Sequence, residues 1–236
     1  MSRPRPALIV FCREPIADEA KTRLIGKMTP VAVAKLADAF IRDTLAKAVT
    51  VRPSRIVIAG SARGGAERSK YFRRLARRFG ADLIDQGDGT LGRRMARALA
   101  LFSSNGALLI GTDTPSLPAP LLARSFDALQ RDPVVIAPSL DGGYYAIGVR
   151  GAMPPIFTGI RWGSGAVFDA TVKRLERAGI SYALGPAWYD VDRWPDVMLL
   201  AAHLRLLARS RRRADSSPCP VTESVLERLG VLQHDR

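Results

Sequence analysis

The chain has 236 residues, of which 47 % are hydrophobic, enough for a domain with a sizeable buried core. No apolar segment is long enough to predict a membrane span, and the start MSRPRPALIVFC is too short in apolar residues to predict a secretory signal, so we expect a cytoplasmic protein. The two cysteines, Cys12 and Cys219, lack the paired spacing of a zinc site or disulfide framework, and Cys12 is predicted to be a buried strand residue.

The formal net charge of +14 raises the possibility of a nucleic-acid partner. However, the 30 arginines and six lysines are spread over nearly every segment. Two local runs lie on or beside predicted amphipathic helices and contain no interleaved aromatic residues that could stack on bases: Arg73, Arg74, Arg77 and Arg78, then Arg205, Arg209 and residues 211–213. We therefore expect no nucleic-acid partner, and a preference for small anions such as nucleotides.

The first half of the chain alternates between strand and helix patterns. Apolar runs predict strands at residues 7–12, 55–60, 82–86, 107–111 and 133–138. The clearest helix follows Thr29 and Pro30, a cap and a first-turn proline, and others are predicted at residues 66–79, 91–102 and 120–130. Continuous apolar strands separated by helices are typical of a doubly wound, mostly parallel α/β sheet.

After residue 138 the pattern changes. VVIAPSLDGGYYAIGV contains two apolar runs joined around Asp141, which predicts an antiparallel hairpin inserted into the sheet. A helix at 164–178, short strands at 181–184 and 188–191, and a helix at 194–209 are predicted next. We predict one domain over residues 1–209, followed over 210–236 by a polar linker and an appendage with one short helix at 222–229.

Candidate site residues follow the first and fourth predicted strands, because ligands of open α/β sheets bind at the carboxyl ends of the strands. The first loop carries three cations, Arg13, Lys21 and Arg23, which could hold phosphates. A solvated loop whose charges are balanced by nearby carboxylates is the alternative. In GTDTPSLP, after the fourth strand, Asp113 could bind a hard cation such as Mg²⁺, or Asp113 or Ser116 could cap the next helix.

Two later segments also allow two interpretations. Asp141, Gly142 and Gly143 form a standard hairpin-turn signal, but the glycines would also let backbone N–H groups approach a substrate beside Tyr144. Asp190 and Asp192 lie two apart on a predicted strand, hence on one face, where paired carboxylates favour a metal. The alternative is that Asp192 caps the following helix.

Taken together and in order, these motifs resemble a bacterial family with the nucleotide-diphospho-sugar transferase fold of GT-A type and no assigned activity. The resemblance covers residues 6–205 and rests on KTRL (21–24), DQGDGTLGRRM (85–95), GTDTPSLP (111–118), DGGYY (141–145), Phe157 with Trp162, and DVD (190–192). The layout is more distantly similar to guanylyltransferases that act on phospholactate and on the molybdenum cofactor, and to sugar-phosphate nucleotidylyltransferases. Arg13 stands where that family has a lysine before Pro15.

The resemblance implies a role for each motif. Asp113 and Asp192 would bind Mg²⁺ or Mn²⁺, and Lys21, Arg23 and Asp113 would be catalytic. The implied nucleotide-binding residues are Arg13, Lys21, Thr22, Arg23, Gln86, Gly87 and Gly92. The implied acceptor-binding residues are Asp141, Gly142, Gly143, Tyr144 and Trp162.

Three functions fit these features. The first is metal-dependent nucleotidyl transfer from a nucleoside triphosphate to a small phosphorylated acceptor, with release of pyrophosphate. The second is glycosyl transfer from a nucleotide-sugar to a sugar or other small acceptor; it is less favoured because glycosyltransferases of this fold usually carry a D-x-D motif, whereas Gly111 lies two residues before Asp113. The third is a non-catalytic nucleotide-binding module. Neither His203 nor His234 is predicted to be catalytic, and the oligomeric state is left open, with a homodimer as one option.

Overall fold

The computed structural model describes residues 5–210 and 217–233, which form an α/β fold. Within those ranges no helix combines the length and the apolar character that a membrane span requires. The strands are β1 Ala7–Arg13, β2 Ile56–Ser61, β3 Asp82–Asp85, β4 Ala107–Ile110, β5 Val134–Pro138, β6 Tyr144–Val149 and β7 Ala183–Leu184. The α-helices are α1 Pro30–Val51, α2 Lys70–Phe79, α3 Leu91–Ala100, α4 Ala119–Leu129, α5 Val167–Arg177, α6 Trp194–Ser210 and α7 Pro220–Arg228.

The seven strands form one sheet in the order β3-β2-β1-β4-β6-β5-β7. Only β6 is antiparallel to its neighbours, β4 and β5, and every other pairing is parallel. This confirms the predicted doubly wound sheet with an inserted hairpin. The carboxyl ends of β1 and β4, which are direct neighbours, therefore lie side by side at one edge of the sheet.

The core lies on both faces of this sheet, as the alternation of β1 illustrates. Leu8, Val10 and Cys12 belong to the cluster that packs beneath α1, α2 and α4, whereas Ile9 belongs to the cluster beneath α3 and α5. Both faces are apolar because a parallel strand is covered by helices on each side. Cys12 is buried in β1, as predicted.

A third cluster joins α1, α6 and α7. Its buried members include Phe40 of α1, Leu200 of α6 and Leu226 of α7. The predicted terminal helix thus exists and packs on α1. The predicted domain boundary at residue 210 stays a prediction, and residues 211–216 of the predicted linker, with their arginines, and His234 lie outside the described residues.

Two predicted elements differ from the structure. The helix predicted at 66–79 is split into a 3-10 turn, Ala66–Arg68, and α2, because Ser69 is extended and its side chain accepts a hydrogen bond from Phe72 N at 3.3 Å. The strand predicted at 188–191 is wrong: only an isolated bridge between Ser139 and Trp188 forms. The common face of Asp190 and Asp192 therefore does not come from strand alternation.

Candidate active site

Two adjoining cavities lie where β1, β4 and β6 meet. The β1–β4 cavity, of about 390 Å³, is lined by Arg13, Lys21 and Asp113 together with apolar residues of β1, α1, α3 and β6. The hairpin cavity, of about 260 Å³, shares Asp113 with it and is also lined by Trp162 and Asp192. A larger open depression of about 850 Å³ on α2 and β3 contains none of the predicted site residues, so the two cavities at the strand ends are the candidate site.

Lys21 connects the first loop to two distant carboxylates. Its Nζ lies 2.5 Å from Asp113 Oδ1 and 3.0 Å from Asp192 Oδ1, and donates to Val191 O at 2.7 Å. The backbone of Lys21 is left-handed, with φ 40°, a strained conformation for a residue with a side chain. Burial lowers the pKa of Lys21, but the two carboxylates outweigh it, and the pKa is raised overall.

Asp113 does not cap α4. That helix has Pro118 at its N-cap position and no side-chain cap hydrogen bond, and Ser116 donates to Tyr189 Oη at 2.7 Å instead. The Asp113 carbonyl accepts a hydrogen bond from Val191 N at 2.8 Å, which joins the loop after β4 to the segment that carries Asp192. The structure therefore removes the capping interpretation and directs the Asp113 carboxylate towards Lys21.

Asp192 does not cap α6 either. The two residues before the helix are instead bound by Asp196 of its first turn, whose Oδ2 accepts hydrogen bonds from the backbone N–H groups of Asp192 at 3.0 Å and Arg193 at 2.7 Å. The Asp192 side chain is left for Lys21 and for Arg23, whose Nη1 lies 3.6 Å from Asp192 Oδ2. The predicted pair of metal ligands, Asp113 and Asp192, is thus brought together.

Asp190 adds negative charge to the same place. It lines the hairpin cavity, and burial, followed by the carboxylates of Asp141, Asp192 and Asp113, raises its pKa to about 6. From the sequence, Asp190 is predicted only as one member of a carboxylate pair with Asp192. The DVD motif indicated the pair in the sequence. The four carboxylates of Asp113, Asp141, Asp190 and Asp192 come together only through loops that are far apart in the chain.

The carboxylates of Asp113 and Asp192 fit a divalent cation whose remaining ligands come from the substrate. Within residues 5–210 and 217–233 no three His, Cys, Asp or Glu side chains are arranged to hold a metal on their own. Mg²⁺ usually takes one or two protein carboxylates and fills its other positions with phosphate oxygens and water. Asp113 and Asp192, which meet on one ammonium group, satisfy that requirement.

The predicted nucleotide residues fall into two groups. Arg13 lines the β1–β4 cavity, and Thr22 and Arg23 are exposed beside Lys21. In contrast, Gln86 is buried: its Nε2 donates to the carbonyls of Cys12 and Ala59, and its Oε1 accepts from Arg94. The side-chain amide of Gln86 therefore makes its hydrogen bonds within the protein.

Gly87 and Gly92 also have structural reasons to be glycine. Gly87 has φ +66°, and a Cβ there would meet the Arg97 guanidinium at 2.7 Å. A Cβ on Gly92 would lie 2.6 Å from Trp162 Cζ2. Neither these two glycines nor Gln86 lines either cavity. Leu91 and Met95 of α3 line both, and their i, i+4 spacing after Thr90 was the sequence signal for them.

The predicted acceptor residues mostly line the hairpin cavity, namely Asp141, Gly143, Tyr144 and Trp162. The Asp141 side chain accepts from Gly143 N at 2.8 Å and from Ser139 Oγ, which closes the turn. Gly142 does not line the cavity: its φ is +85°, and a Cβ would lie 2.0 Å from Gly165 O. Gly142 therefore allows close packing of two loops.

The aromatic wall of this cavity is formed by the edge-to-face pair Tyr144 and Trp162, with ring centroids 6.4 Å apart. Phe157 stacks on Trp162 at 6.3 Å. His203 lies elsewhere, with its ring nitrogen Nδ1 2.7 Å from Tyr189 Oη, and burial lowers its pKa. It is not among the residues that line the two cavities.

Part of the chain matches a protein-family model. A family model described as "Uncharacterized protein conserved in bacteria (DUF2064)" matches residues 44–164, just over half of the chain. The chain belongs to this family. A search of curated proteins finds no match.

The DUF2064 chain is similar in structure to several transferases. A protein of Desulfovibrio desulfuricans G20, provisionally named a nucleotide-diphospho-sugar transferase, is 27 % identical with a TM-score of 0.78, over 98 % of this chain and 96 % of that one. A nucleotidyl transferase of Methanothermobacter (Mth528) has 13 % identity and a TM-score of 0.59, over 87 % and 99 %. Glucosyl-3-phosphoglycerate synthase of Mycobacterium tuberculosis, in complex with Mn²⁺, UDP and glucosyl-3-phosphoglycerate, has 11 % identity and a TM-score of 0.50, over 87 % and 80 %. These similarities support the nucleotide-diphospho-sugar transferase fold.

Proposed function

We propose that the protein is a divalent-metal-dependent transferase that transfers a nucleotidyl group from a nucleoside triphosphate to a small phosphorylated acceptor and releases pyrophosphate. The observation that carries the proposal is the contact of Lys21 Nζ with both Asp113 and Asp192. It combines a phosphate-binding cation and a pair of hard-metal ligands at the carboxyl ends of β1 and β4. The structural similarity to a nucleotidyl transferase supports the same class.

In this proposal the cations of the first loop bind the triphosphate. Arg13 and Lys21 line the β1–β4 cavity, and the exposed Arg23 has its Nη1 3.6 Å from Asp192 Oδ2. Asp113 and Asp192 hold Mg²⁺ or Mn²⁺, a group that neutralises phosphate charge when bound. The complex of a structural relative with Mn²⁺ and UDP supports this use of a metal.

In the reaction an acceptor phosphate oxygen forms a bond to the α-phosphorus, the bond from the α-phosphorus to its bridging oxygen breaks, and pyrophosphate leaves with the electron pair. Positioning and charge stabilisation are sufficient for such a step, so the protein needs no nucleophile of its own.

Glycosyl transfer from a nucleotide-sugar is the second candidate. The hairpin cavity favours it, because none of the described residues that line it is Lys, Arg or His. Its carboxylates, Asp141 and Asp190, could accept hydrogen bonds from sugar hydroxyls, and Trp162 offers an apolar face. A nucleotide-binding module without turnover is the third alternative.

Pyrophosphate release distinguishes these candidates. The protein is incubated with each nucleoside triphosphate, Mg²⁺ and a panel of phosphorylated acceptors. We expect release with one combination, and a loss of at least about 100-fold in Asp113→Asn, because a metal ligand that stabilises charge in the transition state is removed. Asp127→Asn, which changes an exposed carboxylate on α4, is the matched control and should keep full activity.

Other outcomes point away from nucleotidyl transfer. Hydrolysis of UDP-sugar or GDP-sugar without pyrophosphate release from any triphosphate would establish the glycosyltransferase instead. Tight nucleotide binding without turnover of either substrate type would favour the binding module. Full activity of Asp113→Asn would remove the metal-ligand role.

A further inference from the structure

Two charged side chains of α1 are buried away from the proposed reaction. Asp43 and Lys47 lie one turn apart and are 1 % and 8 % exposed. Burying an ionised group is costly unless polar partners replace water, so the partners of such residues show what holds them. Asp43 is hydrogen-bonded to α7, and Lys47 is hydrogen-bonded to the loop that carries Asp113.

Asp43 holds the start of α7. Its Oδ1 accepts from Val221 N at 3.1 Å and its Oδ2 from Thr222 N at 2.8 Å. These N–H groups belong to the first turn of the helix, where no intrahelical acceptor exists. Cys219, the N-cap residue of α7, makes no side-chain cap hydrogen bond. The carboxylate of α1 thus serves as the cap of a helix that is distant in the sequence.

Lys47 contacts a different segment, the loop that follows β4 and carries Asp113. Its Nζ donates a buried hydrogen bond to Pro115 O. Pro115 lies two residues after Asp113, in the loop between β4 and α4. On its other side the loop is held by the hydrogen bond of Ser116 to Tyr189. Lys47 and Tyr189 thus both contact the loop that carries Asp113.

We infer that α7, Asp43 and Lys47 form a tether that positions the Asp113 loop and thereby sets the affinity of the site for its divalent metal. The inference rests on the metal role proposed for Asp113. Asp43 and Lys47 are positioning residues, since neither lines the cavities. Without the tether the Asp113 carboxylate must be ordered when the metal binds, and that entropy reduces affinity.

Mn²⁺ binding to the full chain tests the tether, measured by calorimetry or by the electron paramagnetic resonance signal of unbound Mn²⁺. We expect Lys47→Met to weaken Mn²⁺ binding about tenfold, the lower end of the effect of losing a residue that supports a metal ligand. The metal concentration for half-maximal activity should rise by the same factor, while kcat at saturating metal stays close to that of the unaltered protein. Lys35→Met, on an exposed position of α1, is the control and should change neither quantity.

A second variant extends the test to the α7 end. Asp43→Asn keeps the side-chain size but removes the charge that caps α7, and it should also weaken Mn²⁺ binding. It serves in place of Lys47→Met if that variant does not fold, as judged by circular dichroism. Lys47→Arg, which can still donate to Pro115 O, should retain affinity. A merely structural lysine would instead lower melting temperature without moving metal affinity in the folded protein.

Asp113→Asn separates failure of the tether from failure of the proposed site. If Asp113→Asn abolishes Mn²⁺ binding while the folded Lys47 and Asp43 variants bind normally, the tether is wrong and the metal site survives. If Asp113→Asn itself binds Mn²⁺ normally, the metal role of Asp113 is wrong, and the tether proposal is wrong with it.

Discussion

Lys21 is the residue on which the proposed site depends. Its Nζ contacts the carboxylates of Asp113 and Asp192 and the carbonyl of Val191, and the last two lie 171 and 170 positions away in the chain. Its left-handed backbone costs free energy, which these contacts must offset. The same ammonium group keeps Asp113 and Asp192 from repelling each other when no metal is bound.

Replacing this charge gives a prediction at the residue scale. Lys21→Met should lower the melting temperature by about 2–4 °C in the presence of a chelator, which corresponds to about 1 kcal/mol for a partly exposed ion pair in a chain of this size. Mn²⁺ should restore part of the loss, since the metal would replace the missing positive charge. Thermal unfolding with EDTA and with Mn²⁺ measures both effects.

Lys27→Met is the matched control for this variant. Lys27 is an exposed lysine that lines neither of the two cavities, and its replacement removes the same charge from the chain. The control should unfold at the same temperature as the unaltered protein, both in EDTA and in Mn²⁺. An equal loss of melting temperature in EDTA and in Mn²⁺ for Lys21→Met would contradict a shared carboxylate site.

At the scale of elements, α1 contains a lysine whose ionisation differs between the folded and unfolded states. Burial lowers the pKa of Lys47 to about 8, although Cys219 and Asp43 act in the opposite direction. The unfolded chain would keep this proton up to about its ordinary pKa of 10.5. Between those two values the unfolded state binds more protons, so this group makes the folded state more stable as pH rises.

The pH dependence can be measured against a variant that lacks the group. Between about pH 7.5 and 9.5 the unaltered protein should gain about 1–2 kcal/mol of unfolding free energy relative to Lys47→Met, at about 1.4 kcal/mol for each unit of pKa shift. Urea unfolding at several pH values gives this difference and cancels the titration of cysteines and tyrosines common to both proteins. A difference that is constant with pH would mean that Lys47 is not buried as described.

The contact between α3 and the Trp162 segment gives a further prediction at this scale. In Gly92→Ala the new Cβ would be 2.6 Å from Trp162 Cζ2 and 2.8 Å from Phe157 O, so the two segments must separate. We expect a loss of about 1–3 kcal/mol in stability and a changed tryptophan signal in near-ultraviolet circular dichroism. Arg93→Ala, at the exposed neighbouring position, should change neither.

The same variant tests the nucleotide role that the resemblance implied for Gly92. Weaker nucleotide binding together with an unchanged tryptophan signal and unchanged stability would favour direct contact with the nucleotide. The expected result, a perturbed Trp162 wall, instead makes Gly92 a packing residue between α3 and the hairpin cavity.

At the scale of the whole molecule, the C-terminal segment completes a core. Cys219, Val225, Leu226 and Leu232 are buried against α1 and α6. Each fully buried side chain of this kind contributes about 1.5–3 kcal/mol relative to exposure. The segment therefore stabilises the same helices that carry Lys47 and the neighbours of Asp192.

Ending the chain at residue 210 tests this contribution. The shortened protein should lose several kcal/mol of unfolding free energy, because the apolar faces of α1 and α6 would be exposed to water. Urea unfolding of the full and shortened chains measures the loss. An unchanged midpoint would instead support a domain that ends at residue 209, with the rest as a separable appendage.

Local patterns were sufficient for most elements. The apolar runs of β1 and β4, the Thr29 cap of α1 and the turn signal around Asp141 each lie within a few residues, and each predicted its element correctly. The segment 188–191 failed because Tyr189 and Val191 pack in the third core cluster, and the segment joins the sheet through one bridge alone. Strand propensity reflects packing as much as backbone preference, so tertiary contacts override it.

The sequence by itself determined the fold class and the loops at which a site should lie, because hydrophobic periodicity and turn chemistry are local properties. Only the tertiary structure decided which residues meet. Lys21 contacts Asp192, which lies 171 positions away, and Asp43 caps a helix 178 positions away. The amide of Gln86 donates hydrogen bonds to the carbonyls of two strands. Such contacts depend on chain closure and side-chain packing in three dimensions, which no local pattern contains.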